Sequence, residues 1–339
     1  MALSAEALHR DATVIDGCVF YSDGDVAGLR AAHVAAVNLT VSHLDTGFEE
    51  TTDQVAGWIA RLADPASPWR VVLTTADIAA ARREGKIGLI MGWQNMRPIE
   101  NKLDRIGLFH KLGLRIMQLT YNRRNFIGDG CLEPEDGGLS GFGRAVVARM
   151  NELGIAIDLS HVGERTTRET AEASRQPVLV THANARAVTM ALRNKSDGVL
   201  KAVAATGGVI GCSVYGPMCW TGDPKQPPSL EDFLRQLDHI VALVGIAHVG
   251  IGTDLPAVSD LGKVKHITEM TLSRFPAAIA DYARAFGNDI RGRYIREVQG
   301  HADLLKVTDA LIRRGWTEAD LRALLGGNFL RALAAIWGG

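Results

Sequence analysis

Apolar residues come along this chain in short, nearly unbroken runs, separated by stretches in which they recur every three or four positions. Eight runs stand out: Thr13–Phe20, Val34–Val41, Lys86–Trp93, Leu114–Tyr121, Ile155–Val162, Pro177–Ala183, Gly208–Tyr215 and His248–Leu255. Near-continuous apolar character marks strands buried on both faces, as in a parallel sheet. Helical spacing lies between them. Val146, Val147, Met150 and Leu153 share a face of Phe142–Leu153, as do Leu234, Leu237, Ile240 and Val241 in Leu230–Val244. Strand alternating with helix eight times predicts an α/β fold, a (β/α)8 TIM-like barrel. No Pro/Ser-rich linker or internal repeat divides the 339 residues, so a single barrel domain over 1–339 is expected. Two segments exceed a minimal barrel, about 122–141 and 256–303, the second with a helix near Ala277–Phe286. Both leave strand ends at the barrel's catalytic face and are expected to wall or cover a pocket. Glu318–Trp337 reads as a final helix interrupted by a Gly326-Gly327-Asn328 turn.

Composition narrows the partners. With 37 Lys+Arg against 38 Asp+Glu and no long basic run, the chain lacks the positive stripe that phosphate contacts require, so a small-molecule substrate is expected and nucleic acid is not. A homodimer stays open. Four cysteines, Cys18, Cys131, Cys212 and Cys219, form no CxxC pair and are too scattered for a disulfide scaffold, which suits a reducing compartment. Residues 1–11 contain Glu6, His9, Arg10 and Asp11 and no seven-residue apolar run, so no secretory signal is expected. No apolar run reaches the ~18 residues of a membrane span. A soluble, cytoplasmic protein without membrane partners is the expectation.

Barrel enzymes keep their reactive groups at the C-terminal ends of strands. Here the third run ends in Trp93-Gln94, the fourth in Tyr121-Asn122, the fifth in His161, the sixth in His182 and the eighth in Asp254. Neighbouring strands lie about 4.8 Å apart, so His161 and His182 can reach one metal ion, with the Asp254 carboxylate across the mouth. The bland reading of each histidine is a hydrogen-bonded structural residue, and neither HxH nor HExxH is present. The other histidines read as surface or packing groups: His110 and His239 in helical patterns, His248 at a strand start, and His9, His33, His43, His266 and His301 at termini, turns or insertions. Arg123, Arg124, Arg193 and Lys195 follow strands four and six and suit a carboxylate. Trp93, Tyr215 and Trp220 are candidates to line the pocket.

Several segments together resemble the membrane (renal) dipeptidase family of metallopeptidases. They are Gln118–Asn122, Gly138-Leu139-Ser140, Asn151–Gly154, Asp158-Leu159-Ser160-His161, Thr181-His182, Arg193-Asn194, Gly207-Gly208, Gly252-Thr253-Asp254 and Gly326–Arg331. The match runs from about Thr13 to about Ala332 in the family's order. It implies an amidohydrolase-like barrel with two zinc ions bridged by a glutamate ending strand three. It further implies a His-x-Asp pair on strand one for one ion and the histidines ending strands five and six, His161 and His182, for the other. Arg193 takes the place of the arginine that holds the substrate carboxylate, and Asp254 that of the aspartate handling the attacking water or the substrate amine.

The chain departs from this pattern at the metal. Cys18-Val19-Phe20 stands where the His-x-Asp pair is expected, Gln94 where the bridging glutamate is, and Tyr121 where a histidine lies near the substrate. Phe20 has no ligand atom, and a neutral amide bridges two cations poorly. One zinc ion on His161 and His182, with Gln94 or Asp254 as a third ligand, is therefore expected; Cys18 is a candidate thiolate in place of the missing histidine, and a metal-free site is the alternative. The activity implied is dipeptidase-like hydrolysis of a small amide or dipeptide-like substrate with a free carboxylate. Asp254 is the base, Tyr121 and Tyr215 are candidate donors to the oxyanion, and Arg193, Asn194, Tyr121 and Trp93 are the substrate contacts. A non-peptidase hydrolase or lyase, or an inactive binding homologue, are the competing readings.

Overall fold

A computed structural model describes residues 3–338. Its strands are β1 (Val14–Ser22), β2 (Val34–Thr40), β3 (Trp69–Val71), β4 (Ile87–Trp93), β5 (Leu114–Gln118), β6 (Ala156–Asp158), β7 (Leu179–Val180), β8 (Val209–Cys212), β9 (Val249–Ile251) and β10 (Leu255–Ala257). All of their pairings are parallel, in the order β10-β1-β2-β4-β5-β6-β7-β8-β9, with β3 beside β4. The ends of that path, β9 and β10, are two pieces of one segment. The N–H of Gly252 donates to the Cys212 carbonyl on β8 (3.0 Å), and the N–H of Asp254 to the Cys18 carbonyl on β1 (3.0 Å). The segment thus passes from one neighbour to the other, and the ring closes as the expected α/β barrel.

Alternation along each strand sorts its residues between two cores. On β4, Leu89, Met91 and Trp93 face the helix layer, whereas Ile90 joins Ile15, Ile116, Ala156, Leu179 and Val209 inside the ring. The floor of the barrel comes from the helix Asn328–Trp337, whose Phe329, Leu333 and Ile336 complete the inner cluster. Gly17 and Gly250 make room for it, since a Cβ on either would lie 2.6 Å from the Phe329 ring. Helix Leu230–Val244 forms as its periodicity predicts, opened by a capping box between Ser229 and Asp232. The tail is broken where the sequence suggested, into Glu318–Arg322 and Asn328–Trp337.

The two excursions differ. Residues 122–140 contain no helix or strand and fold against helix Glu164–Ala173, where Asp136 accepts from the Thr166 hydroxyl (2.8 Å) and the Arg165 N–H (2.7 Å). Residues 256–303 contain helices Lys265–Arg274 and Ala280–Phe286 and arch over the C-terminal mouth, lining the cavity beneath. Among the described residues, no helix is long and apolar enough to cross a membrane.

Candidate active site

A cavity of about 520 Å³ opens at the C-terminal mouth, and Gln94, Tyr121, Asn122, His161, Arg193, Tyr215 and Asp254 all line it. Two carboxylates set its base. Asp158, ending β6, accepts from the N–H of Ser160 (3.1 Å) and from both the N–H (2.9 Å) and the hydroxyl (2.8 Å) of Thr181 beyond β7. Asp16 on β1 repeats the pattern, accepting from the N–H of Cys18 (3.0 Å) and from the N–H (2.8 Å) and hydroxyl (2.6 Å) of Thr253. Each clamp ties two neighbouring strand ends and presents the residues that follow, His161 and His182 from one, Cys18 and Asp254 from the other. His301 donates to Asp16 from behind (Nε2 to Oδ2, 3.1 Å).

The histidines are held as neutral ligand-type imidazoles. His161 Nδ1 lies 2.7 Å from the Asn122 amide oxygen and so carries the proton. His182 Nδ1 lies 2.8 Å from the Thr181 hydroxyl, whose own proton goes to Asp158, so it too is the protonated nitrogen. Both Nε2 atoms then bear lone pairs, and they face each other at 3.1 Å. Burial, reinforced by the nearby Arg193 charge, holds both rings well below the usual imidazole range, so protons do not fill the gap at neutral pH. Two lone pairs so placed repel unless they share a cation. Tetrahedral zinc with nitrogens at 2.0–2.1 Å sets two ligands about 3.3 Å apart, close to this separation. The arrangement fits one ion. It does not fit two, since half-buried Phe20 occupies the wall where a second carboxylate is expected, and Gln94 turns its NH2 to the Cys18 sulfur (3.6 Å) and the Thr40 hydroxyl (3.0 Å).

Around these rings the groups differ in charge. Asp254 lies in the left-handed region (φ 59°), a strained backbone state for a residue with a Cβ, and burial pushes its carboxyl up to about 7 against the lowering pull of Arg193. Arg193, only 5% exposed, donates to the carbonyls of Ser160 (2.6 Å) and His182 (3.4 Å). It forms no ion pair among the described residues. Tyr121 stacks on His161 (centroids 4.0 Å apart, planes at 26°), and burial raises the phenols of Tyr121 and Tyr215, so both stay protonated donors.

Two expected substrate contacts lie elsewhere. Trp93 belongs to the outer face of β4 and packs edge-on against Phe109 (4.8 Å) in the helix layer, because it stands one residue from inward-facing Gln94. Asn194 is wholly buried and donates to the carbonyls of Thr189 (2.9 Å) and Met218 (3.0 Å), which makes it a loop fastener. Lys195 reaches the Val162 carbonyl (2.5 Å), Arg124 pairs with Asp129, and Trp220 packs on Tyr282 and Phe286. None of these lines the cavity. Conversely, His43 and His266, read as surface or packing groups, do line it, together with Gln54, Trp58 and Arg61 of helix Phe48–Ala63. Alternation of β-runs gives no hint of that helix's inner face, although its Val55 and Trp58 spacing is helical.

Comparison with known proteins agrees with this fold. Residues 23–281 match the membrane dipeptidase family, peptidase family M19. The dipeptidase aclJ of Aspergillus oryzae is 28% identical over 254 residues, which are 74% of this chain and 52% of that protein, so the chain spans about half the length of this curated relative. A crystal structure of an amidohydrolase from Pseudomonas aeruginosa is 32% identical with a TM-score of 0.86, covering 99% of this chain and 100% of that one. The probable dipeptidase PvdM of the same organism shares the fold at 20% identity and a TM-score of 0.79, over 98% of each chain. With its model matching about three quarters of the chain and a 32% identical relative sharing the whole barrel, the chain belongs to the membrane dipeptidase family, peptidase family M19.

Proposed function

We propose that the chain hydrolyses an amide bond in a small substrate with a free carboxylate, using one zinc ion held by His161 and His182. The observation that carries this reading is Arg193, a buried guanidinium without a carboxylate partner among the described residues, in the same cavity as His161 and Asp254, with the His182 imidazole against His161. A buried charge left without a counter-charge is costly, and a substrate carboxylate removes that cost. When bound, zinc polarises an amide carbonyl and makes water more acidic. Arg193 anchors the substrate. Asp254 takes a proton from water and returns it to the leaving amine, a task open to a buried carboxylate at the mouth of the site. Protonated Tyr121 and Tyr215 donate to the oxygen on which negative charge develops. The dipeptidase name of the fungal relative supports a peptide-like substrate.

The outer cavity adds a preference. Phe20, Trp58, Ile267, Met270, Phe275 and Ile279 line it, which favours an apolar residue or acyl chain on the amino side of the scissile bond. Hydrophobic L,L and L,D dipeptides and N-acyl amino acids are therefore the first compounds to screen. Free cysteines, three of them buried, suit the reducing cytoplasm. Arg193→Ala is expected to raise KM roughly tenfold to a hundredfold, and Asp254→Asn to lower kcat by about 10²-fold or more. Full turnover by Asp254→Asn would remove the general base from this scheme and turn attention to the non-peptidase readings.

A further inference from the structure

We infer that Cys18 supplies a thiolate ligand to the ion held by His182, so that this chain carries a sulfur-bearing mononuclear centre. The inference rests on the hydrolase reading above and deepens it. The ligand atoms of Cys18, His182 and Asp254 lie within 4.8 Å of one another. His161 Nε2 adds a second imidazole 3.1 Å from that of His182. The surroundings of Cys18 are not those of a packing residue. Its sulfur is buried between the Asp254 carboxylate (3.8 Å) and the Gln94 NH2 (3.6 Å), whereas Cys212 sits in the apolar core.

Gln94 gives the second, independent argument. The Gln94 amide presents an N–H to the Cys18 sulfur (3.6 Å), where a glutamate would present a second negative oxygen. The cysteine on β1 and the glutamine after β4 are thus two halves of one change. Together they replace a carboxylate-rich pair of ligands with one soft anion and a neutral donor. Charge closes as well, because one divalent cation is balanced by the thiolate and the Asp254 carboxylate. Binding breaks the Cys18 S–H bond, forms the sulfur–metal bond and releases that proton to solvent. Thiolate together with imidazole selects zinc or cobalt over magnesium, calcium and manganese.

Cobalt reports sulfur directly. The full chain, stripped with chelator and titrated with Co²⁺ alone, is expected to take up one equivalent and to show a near-ultraviolet sulfur-to-cobalt charge-transfer band. Cys18→Ser should lose the band while circular dichroism shows it folded, and Cys131→Ser should keep it. On the unmutated protein loaded with Zn²⁺, X-ray absorption should find one sulfur at about 2.3 Å. One bound equivalent with no band and only nitrogen and oxygen neighbours would overturn the thiolate and leave the mononuclear hydrolase standing. Failure of the unmutated protein to bind either ion would overturn both.

Discussion

The two Asp–Thr clamps use the same three hydrogen bonds to opposite ends. At Asp158, the Thr181 hydroxyl donates to the carboxylate and accepts from His182 Nδ1, so the clamp is the first link of a carboxylate–hydroxyl–imidazole relay that ends at the site. At Asp16, the Thr253 hydroxyl instead accepts from the Leu255 N–H (3.0 Å), bracing the left-handed turn at Asp254 where the eighth segment changes neighbours. One clamp orients a side chain; the other fixes a backbone break. Strand ends therefore become functional through what the clamp residue's remaining lone pair holds, and identical local geometry does not imply an identical role.

The largest expected effect comes from removing the carboxylates. Asp158→Ala strands four buried donors, the N–H and hydroxyl of both Ser160 and Thr181, and Asp16→Ala as many, so each should destabilise by on the order of 3 kcal/mol in urea denaturation. Asp158→Ala should also release the ion when the folded fraction is assayed for metal, whereas Asp16→Ala, which loosens the Cys18 segment but leaves both imidazoles held, should weaken it less. Equal metal loss in both would erase the distinction. Next in size are the hydroxyls. Thr181→Val breaks the relay and should weaken Zn²⁺ binding roughly 10- to 100-fold, whereas Thr253→Val should cost about 1 kcal/mol of stability with zinc affinity nearly unchanged.

Protonation gives a smaller, graded test. Asp254 is pushed up to about 7 in the folded protein, above the ~3.9 of an unfolded aspartate, so the ion-free fold binds this proton more tightly than the unfolded chain does. Its contribution to stability is present at low pH and is lost as pH rises from about 4 through about 7. Urea midpoints measured in chelator across that range should show a slope that Asp254→Asn flattens. The smallest expectation is a null result. Gln94→Glu alone should bind no second zinc, since Phe20 still denies it a ligand, and two equivalents by metal analysis would overturn the account of the strand-one loss.

Much of the frame was legible because buried parallel strands write themselves as unbroken apolar runs. All eight runs contain a strand of the barrel, and His161, Arg193 and Asp254 line the cavity at its mouth, with His182 against His161. What the runs could not tell was facing at their ends. Trp93 and Gln94 are adjacent, and only the pleat decides that one enters the helix layer and the other the cavity. Strand β3, three residues long, is below the length at which periodicity speaks. His43 and His266 reach the cavity through tertiary folding of a β2 loop and of the long excursion, which no local pattern encodes.

The Phe329 ring, seated between Gly17 and Gly250, sets an order of events during synthesis. Residues from the two far ends of the sequence must meet before the ring has a floor. Until the segment around residue 329 has left the ribosome, Ile15, Ile116, Leu179 and Val209 have no cover from below. Contacts so distant in sequence form late and slowly, and the open intermediate presents apolar strand ends to its neighbours. The nascent barrel thus exposes apolar surface of the kind chaperones cover, for as long as that floor stays open.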